Sequence, residues 1–257
     1  MPTCLLVRHG RTFANASGTL AGWTPGVLLD EHGEEGARAL ATRLAGLPIA
    51  LVATSPLERC RQTADLLVAG AGLTGVALET VDDLGECRYG AWTGAALADL
   101  ARDPLWRVVQ DQPSAARFPE GSDYPAESIA AMSARAVAAV RTLDTRVGAE
   151  HGESALWVAV SHGDVIKAVL ADAAGAHLDH FQRFVVGPAS LSVVRYTPGR
   201  PFVERINDTG DPILAKPPPP TVPTDETAKA PGTGPADAPA EPGSDTSSDA
   251  VPGGVTG

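Results

Sequence analysis

CLLVRHGRTFAN, residues 4–15, decides how this chain is read. Its apolar start has the length and composition of a buried strand. The run ends at Arg8-His9-Gly10. In sheets made of parallel strands, ligands sit beyond the strands' carboxyl ends. Arg8 and His9 are therefore expected at the mouth of a site, and the other strand ends show what joins them there.

Two further apolar runs read as buried strands, IALVATS at 49–55 and ALWVAVS at 155–161. GVALETV at 75–81 reads as a shorter one. Helical periodicity falls between them. GEEGARALATRLAGL places Ala37, Leu40, Ala41 and Leu44 on one face, and LERCRQTADLLVAG closes at Gly70. A helical insert starts at TGAALADLA with Thr93 as its expected N-cap. Residues 126–147 put Ile129, Met132, Ala136, Val140 and Leu143 on one face of a long helix. DVIKAVLADAAG follows as another helix, and ASLSVVRYT and RPFVERIND read as antiparallel strands around Pro198-Gly199. Strands that alternate with helices predict an α/β fold with a mostly parallel sheet covered on both faces.

The second and third of the long strands end as suggestively as the first. Thr54-Ser55-Pro56 is followed one turn later by Arg59, and the other end is Ser161-His162-Gly163. Two His and two Arg then converge at one edge of the sheet. A neutral imidazole is nucleophilic near pH 7 and can carry a phosphoryl group as phosphohistidine. Arg8 and Arg59 supply planar forks that match phosphate oxygens, and His162 can donate to the same oxygens. Such a cradle offsets the charge of the transferring group without a metal or cofactor. A helix start after Gly163 adds N–H groups. Glu86, in LGECRYGAWTG, is the expected proton donor to the leaving oxygen and then the base on water, with Asp82 and Asp83 as neighbouring alternatives.

LLVRHGRTFAN, SPLERCRQTA, LGECRYGAWTG and VAVSHGD together resemble the four signature segments of the histidine phosphatase superfamily, in its phosphoglycerate-mutase-like branch. Actinobacterial mutase-like phosphatases are the nearest in appearance. The resemblance covers about 1–210. It implies His9 as the phosphorylated nucleophile, Arg8, Arg59 and His162 as phosphate ligands, and Glu86 as the proton donor. Asn15 corresponds to a further phosphate contact, and Gly22 and Tyr89 are retained as substrate-side positions. The implied fold is a three-layer α/β/α sandwich with one antiparallel edge strand, its active site roofed by the helical insert at 93–130. No metal or cofactor is implied.

The chain also departs from that pattern. Leu97 stands where glycolytic mutases carry a Lys for the substrate carboxylate, and no adjacent Arg pair occurs. FPEGSDYPAES replaces the usual Pro-Gly-Gly-Glu-Ser, which removes the expectation of a pocket role for Glu127 or Ser128. These losses favour a phosphomonoesterase acting on a small phosphorylated metabolite. A phosphomutase is the alternative, and a non-catalytic phosphate-binding scaffold is a third reading.

The remaining features narrow the setting. The net charge is −11 with no basic stripe, which argues against nucleic acid. No apolar run approaches the ~18 residues that cross a membrane, and the N-terminus lacks a signal peptide's basic region, so a cytoplasmic protein is expected. Cys4, Cys60 and Cys87 form no pair or metal motif and are expected to be buried thiols. His32, His151, His177 and His180 are expected at the surface or in structural roles, and Trp92 and Trp106 in packing rather than lining a pocket roof. GAGLTG at 70–75 matches a dinucleotide fingerprint but follows a helix, not a strand. A homodimer is left open. Residues 211–257 hold half of the chain's 22 Pro and few large apolar side chains, the composition of a disordered tail.

Overall fold

A computed structural model of the chain describes residues 2–210. The expectation for 211–257 lies outside them. The strands are β1 (Thr3–Arg8), β2 (Ile49–Thr54), β3 (Ala77–Thr80), β4 (Leu156–Ser161), β5 (Leu191–Arg195) and β6 (Phe202–Asp208). They form one six-stranded sheet in the order β3-β2-β4-β1-β5-β6. The first four are mutually parallel, whereas β5 runs antiparallel to β1 and to β6. The expected antiparallel edge is thus the β5–β6 pair.

Alternate strand residues serve opposite layers, as a pleated strand requires. Cys4, Leu6, Leu51, Trp157 and Ala159 face one core with α6 (Ile129–His151) and α7 (Gly163–Ala173). Leu5, Val7, Val52, Val158 and Val160 face the other, against α2 (Glu31–Leu44) and α3 (Glu58–Gly70). Each buried Leu or Val contributes roughly 1.5–3 kcal/mol relative to exposure. The central strands, apolar on both faces, are therefore fixed in register. That register places the ends of β1, β2 and β4 side by side.

Local signals set the helix limits. Asp30 caps α2 through a 2.8 Å bond from Gly33 N, so the helix begins before the stretch read as helical, and it ends at Leu44. Ser128 caps α6 through Ala131 N at 3.0 Å, so 126–128 stay extended. The same helix runs past 147 to His151, where Gly152 turns the chain at φ +91°.

The insert comprises α4 (Leu97–Leu100), α5 (Pro104–Asp111) and short 3-10 turns, preceded by a very short α1 (Phe13–Ala16) far upstream. Thr93 is not an N-cap. It ends the 3-10 turn Gly90–Trp92, and Gly94 at φ +83° redirects the chain so that α4 starts only after Ala96. Trp92 and Trp106 are buried against each other with ring centroids 6.3 Å apart, which bears out their reading as packing. Leu97 is partly buried against the same core. The 3-10 stretch Leu178–Arg183 had no signal in the periodicity.

Candidate active site

The register carries three side chains out of the sheet together. Arg8 pairs with Ser161 and Thr54 with Val160, so His9 and His162 leave adjacent strands at one level, with Ser55 one residue below them on the third. Backbone bonds extend the ladder one step further: His9 N donates to Ser161 O at 3.0 Å and Ser55 N to Val160 O at 2.9 Å. The imidazoles of His9 and His162 meet edge to face with centroids 5.2 Å apart.

His9 Nδ1 lies 2.8 Å from its neighbour's carbonyl, Gly10 O. Only an N–H can satisfy that oxygen, so the lone pair of the neutral ring sits on Nε2. Burial, Arg59 and then Arg8 hold the His9 pKa well below its ordinary value, so the ring stays neutral and nucleophilic. Close packing fixes the loop. A Cβ on Gly10 would stand 2.4 Å from Gly33 O, and one on Gly33 would stand 2.0 Å from Arg11 O. Only two glycines allow the start of α2 to approach the loop after His9 so closely.

Arg59 is buried on the first turn of α3. Its Nη2 donates to Gly22 O at 2.9 Å and lies 3.2 Å from His162 Nδ1. Its Nη1 is buried without a hydrogen-bond partner among the described residues. A buried guanidinium edge with donors to spare suits an arriving oxyanion. Gly22 adopts φ +50°, and a Cβ there would meet Thr93 and Tyr89. It thus holds Arg59 through its carbonyl. Arg8 is fully buried and donates from Nη1 to Val186 O at 2.7 Å. Burial lowers its pKa to about 10, against the pull of Glu86 and Asp164, and it remains cationic.

Glu86 closes the site from the β3–α6 segment. Its Oε2 lies 3.7 Å from His162 Nδ1, and its Oε1 accepts from Cys87 N at 2.9 Å. Burial first, and Asp164 second, raise its pKa to about 7 against the opposing Arg59. A carboxyl so poised can give and take a proton near neutrality. Asp82 and Asp83 are exposed, which leaves Glu86 as the acid facing the imidazoles.

Other expected residues take different places. Asn15 joins a capping box on α1: its Oδ1 accepts from Thr12 N and Thr12 Oγ1, and its amide nitrogen is the donor left over. Tyr89 turns inward, fully buried, and donates to Asp164 Oδ2 at 2.8 Å. Glu127 and Ser128 do not line the cradle; Ser128 caps α6 and Glu127 pairs with Arg135 at 2.6 Å. The four remaining histidines are exposed, and the three cysteines are free and buried.

Sequence reasoning missed Ser55 as a partner of His162, with Oγ 2.7 Å from Nε2. It also missed Asp164 and Lys167, buried 3.6 Å apart on α7. For Ser55 a signal existed, since it follows directly on a strand end. Among the described residues no cluster of His, Cys, Asp and Glu could hold a metal ion, and no helix is long and apolar enough to cross a membrane.

A sheet of this order, with two His and two Arg gathered at its carboxyl edge, defines an α/β protein with a buried cationic cluster. YhfR of Bacillus stearothermophilus shares the fold, with a TM-score of 0.70 and 24% identity over 81% of this chain and 98% of that one. The sequence profile of the histidine phosphatase superfamily (branch 1) matches residues 4–209, and the chain belongs to that superfamily. It is 35% identical over 121 residues to a 2,3-bisphosphoglycerate-dependent phosphoglycerate mutase of Thermobifida fusca, covering 44% of this chain and 49% of that protein. It is 37% identical over 98 residues to the adenosylcobalamin/alpha-ribazole phosphatase of Salmonella typhimurium, covering 38% and 46%. The match spans about half the length of each of these two curated relatives.

Proposed function

We propose that the chain is a metal-independent phosphomonoesterase that works through a phosphohistidine on His9. The observation that carries this reading is the His9 ring itself, with Nδ1–H held by Gly10 O at 2.8 Å and Nε2 free beside His162. Nε2 attacks phosphorus, the P–O ester bond breaks, and the leaving alkoxide takes the proton of Glu86. The Glu86 carboxylate then removes a proton from water. The water oxygen attacks phosphorus, the P–N bond breaks, and phosphate leaves with His9 neutral again. Arg8, Arg59, His162 and the Asn15 amide nitrogen hold the phosphoryl oxygens. Gly22 and Tyr89 act indirectly, through Arg59 and Asp164.

The substrate class is a small phosphorylated metabolite. Three free buried thiols support a reducing compartment such as the cytoplasm. A homodimer is the assembly that sedimentation would check. The Thermobifida relative, named a mutase, supports a second reading in which a substrate hydroxyl takes the place of water. The absence of a cation at Leu97 favours water.

Phosphate release from a panel of sugar phosphates, phosphoglycerates, nucleotides and phospho-amino acids tests the hydrolase. Conversion of 3-phosphoglycerate to 2-phosphoglycerate without release of phosphate would select the mutase. A His9→Ala protein that hydrolyses esters at the wild-type rate would sink both.

A further inference from the structure

Arg135 sits on α6, outside the phosphate cradle, yet its guanidinium is given over to the segment that carries Glu86. Nη1 donates to the carbonyls of Asp83 at 2.8 Å and Gly85 at 2.9 Å. Nη2 donates to the carbonyl of Glu86 itself at 2.9 Å. The remaining edge is anchored on Glu127, with Nη2 2.6 Å from Oε1 and Nε 3.1 Å from Oε2. Glu127 Oε1 also accepts from Arg88 N at 2.9 Å, on the far side of the acid. Trp23 Nε1 adds a 2.7 Å bond to the Glu86 carbonyl, and the Arg88 guanidinium lies over the Trp23 ring at 5.3 Å.

Residues 83–88 belong to no strand, and such segments are ordinarily the mobile parts of a fold. Here the carbonyls of Asp83, Gly85 and Glu86 and the N–H of Arg88 are all held by one Arg–Glu unit rooted in a long helix. The unit itself contacts backbone, and its charge reaches the cradle only as a minor contribution that lowers the His162 pKa. For holding three carbonyls at once, planarity and a five-donor fork matter, and a lysine lacks that fork.

We propose that Arg135, seated on Glu127, is a positioning residue that aims the Glu86 carboxyl at the leaving oxygen. The inference rests on the reading of Glu86 as proton donor. A general acid acts only within hydrogen-bond reach of its target, and its contribution grows with the basicity of the leaving group. A loosened loop therefore slows esters of poor leaving groups and spares those of good ones. A merely structural role slows both alike.

The test compares full-length wild type, Glu86→Gln, Arg135→Lys and Arg135→Gln on two esters, nitrophenyl phosphate and glycerol phosphate. For both Arg135 variants kcat/KM, which reports only the first phosphoryl transfer, is expected to fall about ten-fold more on glycerol phosphate than on nitrophenyl phosphate, the same selectivity as Glu86→Gln in smaller measure. The inhibition constant for inorganic phosphate is expected to stay within about two-fold, since no phosphate ligand is touched. Equal losses on both esters, or none on either, would overturn the proposal. If the Arg135 variants melt below assay temperature, Glu127→Gln is the substitute, with the same selective loss expected and an even response counting against. A Glu86→Gln enzyme with the wild-type ester preference would remove the acid role and this inference together. A selective Glu86→Gln beside an even Arg135 response removes this inference alone.

Discussion

The hydroxyl of Ser55 lies 2.7 Å from Nε2 of His162, at the adjoining ends of β2 and β4. On the other side of that ring, Arg59 Nη2 approaches Nδ1 at 3.2 Å, and a guanidinium nitrogen can only donate. The neutral His162 therefore keeps its proton on Nε2, given to Ser55, and its lone pair on Nδ1. Burial, Arg59 and His9 hold its pKa well below the ordinary value. In the proposed reaction, a phosphate dianion beside the ring would reverse the balance and favour a second proton on Nδ1.

Ser55→Ala tests that arrangement. Without the hydroxyl, the ring loses the acceptor that fixes its proton and its plane. We expect kcat/KM to fall about ten-fold, equivalent to roughly 1.4 kcal/mol, the scale of one hydrogen bond to a charged group. The inhibition constant for inorganic phosphate should rise in parallel. Wild-type values for both would show that Ser55 is incidental.

The pH profile follows from two shifted groups. His9, with a pKa well below the ordinary imidazole value, is already neutral through the range where phosphate esters become dianions near pH 6. Glu86, with a pKa raised to about 7, must be protonated for the first step. For the free enzyme, kcat/KM should therefore fall above pH 7, about ten-fold per unit. Glu86→Gln should abolish that limb while lowering the plateau by about 100-fold or more on an alkyl ester. A wild-type profile that stays flat to pH 9 would refute the assignment.

Asp164 supplies part of that shift. It is fully buried, accepts from Tyr89 and faces Lys167, and its charge raises the Glu86 pKa after burial does. Asp164→Asn removes the charge and retains an oxygen for Tyr89. The alkaline limb should move to lower pH, because the Glu86 carboxylate loses an anionic neighbour. A limb that stays in place or moves upward would contradict this.

Much of this was legible along the chain because strand ends advertise themselves. Apolar runs that stop at Arg8-His9, Ser55 and Ser161-His162 marked both the sheet and the edge where these residues meet. Glu86 was read from its place in a loop after a short strand, with Asp82 and Asp83 left as rivals; of the three, Glu86 is the one buried beside His162. What stayed hidden depends on partners distant in sequence. Tyr89 carries no mark that its hydroxyl meets Asp164, 75 residues away. Arg135 reads as one more charged position on a long helix until the loop at 83–86 is laid against it. Thr93 was misread because a cap preference is local, whereas the start of α4 is set by the turn at Gly94.

Ala189 holds the backbone of His9 at a cost to itself. Its N–H donates to His9 O at 3.1 Å, and the carbonyl of Ser190 accepts from Arg8 N at 3.2 Å. To make these bonds Ala189 adopts φ +54°, the left-handed region, which costs an L-residue roughly 1–2 kcal/mol. Glycine takes that conformation freely but loses more chain entropy on folding, about 0.5–1 kcal/mol. The balance favours Ala189→Gly by about 0.5 kcal/mol, a rise in Tm of roughly 1–2 °C for a domain of this size. Activity should be unchanged, since the N–H to His9 O is a backbone bond and survives the substitution. A lower Tm would mean that the methyl group contributes packing worth more than the strain it imposes.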